Sequence, residues 1–160
     1  MDTTNPMRKR RGFSLIELVI VVVIIGIIGA IAIPRLSRGA EGASDSALAG
    51  DLAVLRNAID LYATEHNGTY PALATIENQL TMYTDINGNT NATKTGAYIY
   101  GPYIRKIPAL KVGAESGETA FTDTLGTADK GWVYDEDTGV VYSNTAVGEV
   151  DAAGKKYSDY

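Results

Sequence analysis

Between Phe13 and Ile33 lie 21 consecutive residues with one ionisable side chain among them, the carboxylate of Glu17. Arg8, Lys9, Arg10 and Arg11 stand immediately before this run. At about 1.5 Å per residue, a helix of that length spans roughly 30 Å, the hydrocarbon thickness of a bilayer. A basic flank keeps its end of such a helix on the cytoplasmic side. A carboxylate within hydrocarbon costs on the order of 2.5–3.5 kcal/mol on insertion scales, so Glu17 calls for a partner. Glu17 lies one helical turn past Phe13. A free α-amino group, with a pKa of about 8, is a cation at neutral pH. A chain cut after Gly12 would carry that cation on Phe13.

The segment Lys9-Arg10-Arg11-Gly12-Phe13-Ser14-Leu15-Ile16-Glu17-Leu18 resembles the class III signal of type IV pilins and type II secretion pseudopilins. The resemblance implies that a prepilin peptidase cuts between Gly12 and Phe13 and methylates the new Phe13 amine. It also implies that Glu17 pairs with the amine of a neighbouring subunit during assembly. The family places a glycine and a proline where its helix loosens in the filament, and Gly26 and Pro34 stand at those positions. On this reading residues 1–12 are a leader peptide and 13–34 a transmembrane and filament-core helix. Met1 and Met7 both remain open as the start of the leader.

Two other readings compete. An ordinary secretory signal has a basic region, a short apolar core and a small-x-small cleavage site. Ala30-Ile31-Ala32 would supply that site, with Ile33 as the mature start. Glu17 argues against it, because such a core is normally uncharged. A plain single-pass anchor for an unrelated domain is the second alternative.

Composition bounds the rest. A chain of 160 residues holds one domain beyond its N-terminal segment. It has no cysteine, which excludes a disulfide framework, a thiolate metal site and a cysteine nucleophile. Many type IV pilins close their C-terminal region with a disulfide, whereas major pseudopilins of type II secretion usually do not, so the resemblance tilts toward the latter. Removing residues 1–12 takes away four basic residues and one acid, leaving 10 and 18 and a net charge of −8. Such a domain repels phosphate backbones, and no nucleic-acid partner is expected.

Past Pro34 the pattern turns amphipathic. Leu48, Leu52, Leu55, Ile59 and Tyr62 recur at spacings of 4, 3, 4 and 3, on one helical face. Gly39 and Gly42 weaken the middle of this helix and a bend is expected there. His66-Asn67-Gly68 supplies the stop, with Asn or Gly free to take a left-handed cap. The second segment, 35–68, is therefore an amphipathic helix of the head, and the helix from Phe13 to His66 would run roughly 80 Å if unbroken.

Residues 69–160 make the globular head. Leu73, Ile76, Leu80 and Tyr83 suggest a short second helix, and Asp85 to Thr95 a polar loop. Ala97 to Ile107 reads as strand and turn about Gly101-Pro102, and Glu115 to Lys130 as a further polar loop. Trp132-Val133-Tyr134 and Val140-Val141-Tyr142 flank five residues, Asp135 to Gly139, as a hairpin. From Thr145 on, small polar residues are expected to lie loosely on the surface. The fold class is α+β and pilin-like: a long helix, apolar in its first half and amphipathic in its second, packed on a small antiparallel sheet. The order Asn67-Gly68-Thr69-Tyr70-Pro71, Gly101-Pro102-Tyr103-Ile104 and Gly131-Trp132-Val133-Tyr134 is similar to the head of the major pseudopilin family.

Other candidate sites are weaker. Asp85, Asn87 and Asn89 alternate like the first ligands of a calcium loop, with Gly88 between. The twelfth position is Gly96 rather than a carboxylate, which favours an Asx-stabilised turn. The resemblance implies calcium in a C-terminal loop, with Asp123, Asp129, Asp135 and Asp137 as the candidate ligands; the metal stays open. Trp132, Tyr134 and Tyr142 could form a stacking surface, against ordinary sheet packing. His66 suits a helix C-terminus electrostatically. Asn67-Gly68-Thr69 and Asn91-Ala92-Thr93 match the glycosylation acceptor pattern. No nucleophile elbow, His-Glu-x-x-His or phosphate loop occurs, so an enzyme is not expected.

The expected function is a structural filament subunit resembling the major pseudopilin of a type II secretion system. Its head would lie in the periplasm, below a single pass through the inner membrane. The alternative is a type IV pilin of a surface fibre for adhesion, motility or DNA uptake. The implied partners are further copies of the chain, minor pseudopilins or pilins, prepilin peptidase, an inner-membrane assembly platform, and lipid before assembly. Mass analysis of the mature N-terminus separates the maturation readings. A methylated Phe13 terminus is expected, and an Ile33 terminus would overturn both filament classes.

Overall fold

Residues 12–160 are described in the computed structural model, with the backbone alone over 32–40. The expected leader up to Arg11, with both candidate start methionines, lies outside the described residues, as do the side chains around Gly39. Helix α1 runs from Leu15 to Glu65. Ser14-Leu15-Ile16-Glu17 has the form of a capping box, and Glu17 returns to its start: the Ser14 N–H donates to Glu17 Oε2 at 2.8 Å. An acid in the first turn also suits the positive end of the helix.

The chain divides into two compact units, residues 1–39 and 40–160. In the first, the large side chains of α1 from Leu15 to Ile31 are exposed on every side, from 45 % at Val21 to 80 % at Leu15. Among the described residues, no helix is long and apolar enough to cross a membrane. The expected span, 13–34, continues past Ile31 into positions whose side chains are not described.

In the second unit α1 behaves as its spacing predicts. Leu48, Leu52, Leu55, Ile59 and Tyr62 are all buried in one cluster with Ile76, Leu80, Leu110, Phe121, Trp132, Tyr134 and Val141. The helix stops where Asn67 and Gly68 take positive φ, 55° and 83°. The Gly68 N–H then reaches the Ala63 carbonyl at 2.8 Å, closing a Schellman cap. Helix α2, Ile76–Thr81, is the expected short second helix, with Ile76 and Leu80 buried. Tyr83 falls just beyond it, in strand β1 (Tyr83–Thr84).

The sheet is only partly antiparallel. Strand β1 pairs antiparallel with β2, Thr90–Asn91, so a two-residue strand lies inside the expected Asp85–Thr95 loop. A second sheet has the order β3 (Phe121–Thr122), β4 (Trp132–Tyr134), β5 (Val141–Ser143). Its β4–β5 pair is the expected hairpin, with Tyr134 opposite Val141, but β3 runs parallel to β4. The expected α+β class, a long helix with small sheets, is the one observed, and β3 makes the second sheet mixed rather than antiparallel throughout. The expected Glu115–Lys130 loop contains β3, whose two residues are too short to show an alternation.

Two further expectations are corrected. Ala97–Ile107 is not a strand: it makes one bridge, Tyr100 to Thr84. The N–H groups of Tyr103 and Ile104 both go to the Leu80 carbonyl, at 2.9 and 3.1 Å, and Pro102 has no N–H for a ladder. The segment after Thr145 is also not loose. Tyr157 and Tyr160 pack against the core, and a 3-10 turn spans Tyr157–Asp159. Asp45 on α1 holds this strap by both oxygens, accepting from the Tyr157 hydroxyl at 2.7 Å and the Ala152 N–H at 3.1 Å. Arg56 donates to the Val141 carbonyl at 3.1 Å and to the Tyr160 carbonyl.

The hairpin turn is seated by contact rather than by its own bonds alone. A Cβ at Gly139, where φ is 73°, would stand 2.3 Å from the Tyr70 ring. Beside it Glu136 accepts the Leu73 N–H at 2.6 Å, and the Tyr134 hydroxyl donates to the Pro71 carbonyl at 2.8 Å. Because Leu52 is fully buried at the centre of the core, Leu52→Ala should destabilise the head by about 2–5 kcal/mol in a denaturant titration. Val54→Ala, on the exposed side, should cost far less.

Candidate functional site

Gly12, Phe13 and Glu17 lie together at the start of α1. Phe13 is exposed, and among the described residues nothing lies within 4 Å of the position a side chain would occupy at Gly12. Glu17 faces Ser14, one residue past Phe13, through the capping bond described above. The carboxylate is therefore turned toward the N-terminal end of its own helix. Sequence reasoning treated Glu17 as an acid in need of a cation and missed its capping role. The signal was present in the Ser-x-x-Glu spacing of Ser14 and Glu17. Gly26 and Pro34 both lie within α1, which is continuous through them in the single chain.

The head candidates separate. Asp123, Asp135 and Asp137 line one cleft of about 530 Å³ with Glu136, Tyr134 and Tyr142, whereas Asp129 does not. Asp135 is occupied by its own turn, accepting from the Asp137 N–H at 2.9 Å and the Thr138 hydroxyl at 2.7 Å. Asp123 accepts from the Thr124 hydroxyl at 2.8 Å. Asp129 instead donates its N–H to Glu115 at 2.8 Å. Among the described residues, no group of three or more histidine or acidic side chains is placed to hold a metal ion.

Asp85 heads an Asx turn, the favoured reading of its motif. Its Oδ1 accepts the N–H groups of Asn87 and Asn89 at 2.9 and 3.0 Å, and its Oδ2 the Asn89 amide at 2.8 Å. Trp132 and Tyr134 are buried, and the Trp132 indole donates to the Pro108 carbonyl at 2.9 Å, so they pack the sheet rather than form a stacking surface. His66 is buried against Tyr62, ring centroids 3.8 Å apart. Its Nδ1 lies 2.8 Å from the Tyr62 carbonyl, and its Nε2 is 2.9 Å from the Asp85 carbonyl and 3.1 Å from the Thr84 hydroxyl. It is a structural pin between the end of α1 and the β1 turn. Of the two acceptor motifs, Asn67 forms the helix cap, and Asn91 accepts the Thr93 N–H at 2.8 Å.

The model of the prokaryotic N-terminal methylation motif matches residues 7–33. The chain thus carries a type IV pilin-like signal, which marks a membrane-anchored precursor processed by prepilin peptidase. No curated protein and no solved structure matches the chain.

Several carboxylates in the head are acidified by the hydrogen bonds they accept. The Asn89 side chain, with the Asn89 and Asn87 N–H groups, holds Asp85 below the ordinary carboxylate range against some desolvation. The Thr138 hydroxyl does the same for Asp135, and the Tyr160 hydroxyl for Asp151. A carboxyl whose folded value is depressed contributes its stability above the unfolded value, about 3.9. That contribution is lost as pH falls through the lower folded value. The thermal midpoint of the protein should therefore drop below about pH 4, and Asp85→Asn and Asp135→Asn should each flatten that decline. A midpoint independent of pH from 6 to 2 would show that these turns contribute nothing.

Proposed function

We propose that the chain is a structural, non-catalytic subunit of a helical filament, matured at Gly12–Phe13 and methylated on Phe13. The finer reading is the major pseudopilin of a type II protein secretion system. One observation carries the filament reading: within a matched methylation motif, the helix presents apolar side chains on every side. Such a helix is stable in lipid or among copies of itself, since about 25 cal/mol per Å² of apolar surface is at stake in water. Copies can therefore replace lipid around it at small net cost, and repeated head-to-tail contacts that do not close build a helical fibre. On this reading the precursor is a single-pass inner-membrane protein with a periplasmic head. Its partners are lipid before assembly, then further copies, minor pseudopilins and an assembly platform.

Glu17 has two tasks here. It caps α1 of the free chain by hydrogen bonding, and its charge pairs with the Phe13 amine of a neighbouring subunit in the fibre. Support for secretion over a surface pilus comes from the cysteine-free head and the order of its Gly-Pro-Tyr and Trp-containing segments.

Two variants separate the tasks, because glutamine keeps a capping oxygen and leucine keeps neither oxygen nor charge. In cells that carry only the variant, Glu17→Gln and Glu17→Leu should both abolish filaments while leader removal continues. Glu17→Leu alone should fray the first turn of α1. Secreted cargo should accumulate in the periplasm of both strains. Normal filaments from Glu17→Gln would overturn the charge role. Loss of long extracellular fibres with secretion intact would favour the surface pilus.

A further inference from the structure

The sequence carries two Asn-x-Thr motifs, Asn67-Gly68-Thr69 and Asn91-Ala92-Thr93. That tripeptide is the acceptor pattern for a sugar on the asparagine side-chain nitrogen. The fold treats the two differently. Asn67 and Gly68 take positive φ in the cap that stops α1, and the Thr69 N–H is spent on the His66 carbonyl at 3.0 Å. An enzyme could engage that tripeptide only by undoing the cap. Asn91 ends strand β2, and Ala92 to Ala97 beyond it are all exposed. Its Oδ1 accepts the Thr93 N–H at 2.8 Å, which closes the tripeptide into an Asx turn. Among the described residues, the Asn91 Nδ2 and the Thr93 hydroxyl make no hydrogen bond.

That turn suits the chemistry of sugar transfer. A carboxamide nitrogen is a poor nucleophile, because its lone pair is shared with the carbonyl as in a peptide bond. A donor held on the carbonyl oxygen stabilises the negative charge that gathers there as the nitrogen gives up a proton. The Thr93 N–H is such a donor, already in place. We propose that Asn91 is a glycosylation site whose co-substrate is an activated sugar carried as a glycosyl pyrophosphate. In the transfer, Asn91 Nδ2 forms a bond to the anomeric carbon. The bond from that carbon to the pyrophosphate oxygen breaks, and the pyrophosphate leaves with its electron pair. The proton lost from Nδ2 passes to a base of the transferase. The site rests on the reading of the head as periplasmic, since the motif serves exported chains. Strand β2 is paired on one side only, by β1. A sugar on Asn91 would therefore also cover a strand edge that is open to other chains.

The test is mass mapping of the chain isolated from the cells that naturally make it. The peptide holding Asn91 should carry an added sugar mass, and the peptide holding Asn67 should carry none. Asn91→Gln and Thr93→Ala should each lose the added mass completely, although Thr93→Ala keeps the backbone N–H and the turn. Thr93→Ser should retain it. A bare Asn91 on a chain with a methylated Phe13 terminus would overturn the site and leave the filament reading intact. Sugar on Asn67 alone, or an added mass that survives Asn91→Gln, would also overturn it. An uncut chain with Asn91 bare would overturn the filament reading, and the site with it. Sugar on Asn91 of an uncut chain would sustain the site and overturn the filament reading alone.

Discussion

The head depends on one stripe of a helix being sealed. Leu48, Leu52, Leu55, Ile59 and Tyr62 are covered by the sheet residues Trp132, Tyr134 and Val141 and by the α2 residues Ile76 and Leu80. The sheets are too small to stand alone, with strands of two or three residues, and isolated hairpins of that size are at best marginal in water. Their order comes from the helix they sit on. The polar pins follow from the same packing: His66 at the end of α1 can reach the Asp85 carbonyl only because the β1 turn is pressed against it.

Glu17 is shared, on the proposed filament reading, between two states of the chain. In the free subunit it completes the start of α1 by accepting the Ser14 N–H. On the filament reading proposed above, the same placement puts its charge in the turn next to the amine that cleavage after Gly12 would create. On that reading a capping carboxylate and an assembly carboxylate need the same thing, an acid in the first turn of a helix, so neither role would compromise the other.

Most of the helical architecture was legible because a long helix repeats its signal. The 4-3 spacing from Leu48 to Tyr62 marked the buried face, and Asn67-Gly68 marked the stop. The Trp132–Tyr134 hairpin was legible from two apolar runs around an acidic turn. What escaped was set by tertiary contacts alone. Phe121–Thr122 pairs parallel with β4 over two residues, which leaves no period to read. Tyr98 to Ile107 has the composition of a strand, yet its donors are taken by the Leu80 carbonyl at the end of α2. The C-terminal strap looks small and polar in sequence; Tyr157 and Tyr160 anchor it to partners more than a hundred residues away, Asp45 and Arg56. The candidate aspartates divide between two places for a related reason, since composition shows how many acids there are and not where their turns point them.

The strap has a mechanical consequence. The head grips α1 by side-chain bonds at Asp45, Arg56 and Glu65, the last through the Tyr103 hydroxyl at 2.8 Å. These holds are spread over roughly 30 Å of helix. A pull along the helix axis therefore loads them side by side, as rivets in shear share a force. A sideways pull would open them one after another, starting from the end nearest the applied force. A lengthwise load on this helix would thus leave the head attached through its direction alone, with no single fastener that must bear it all.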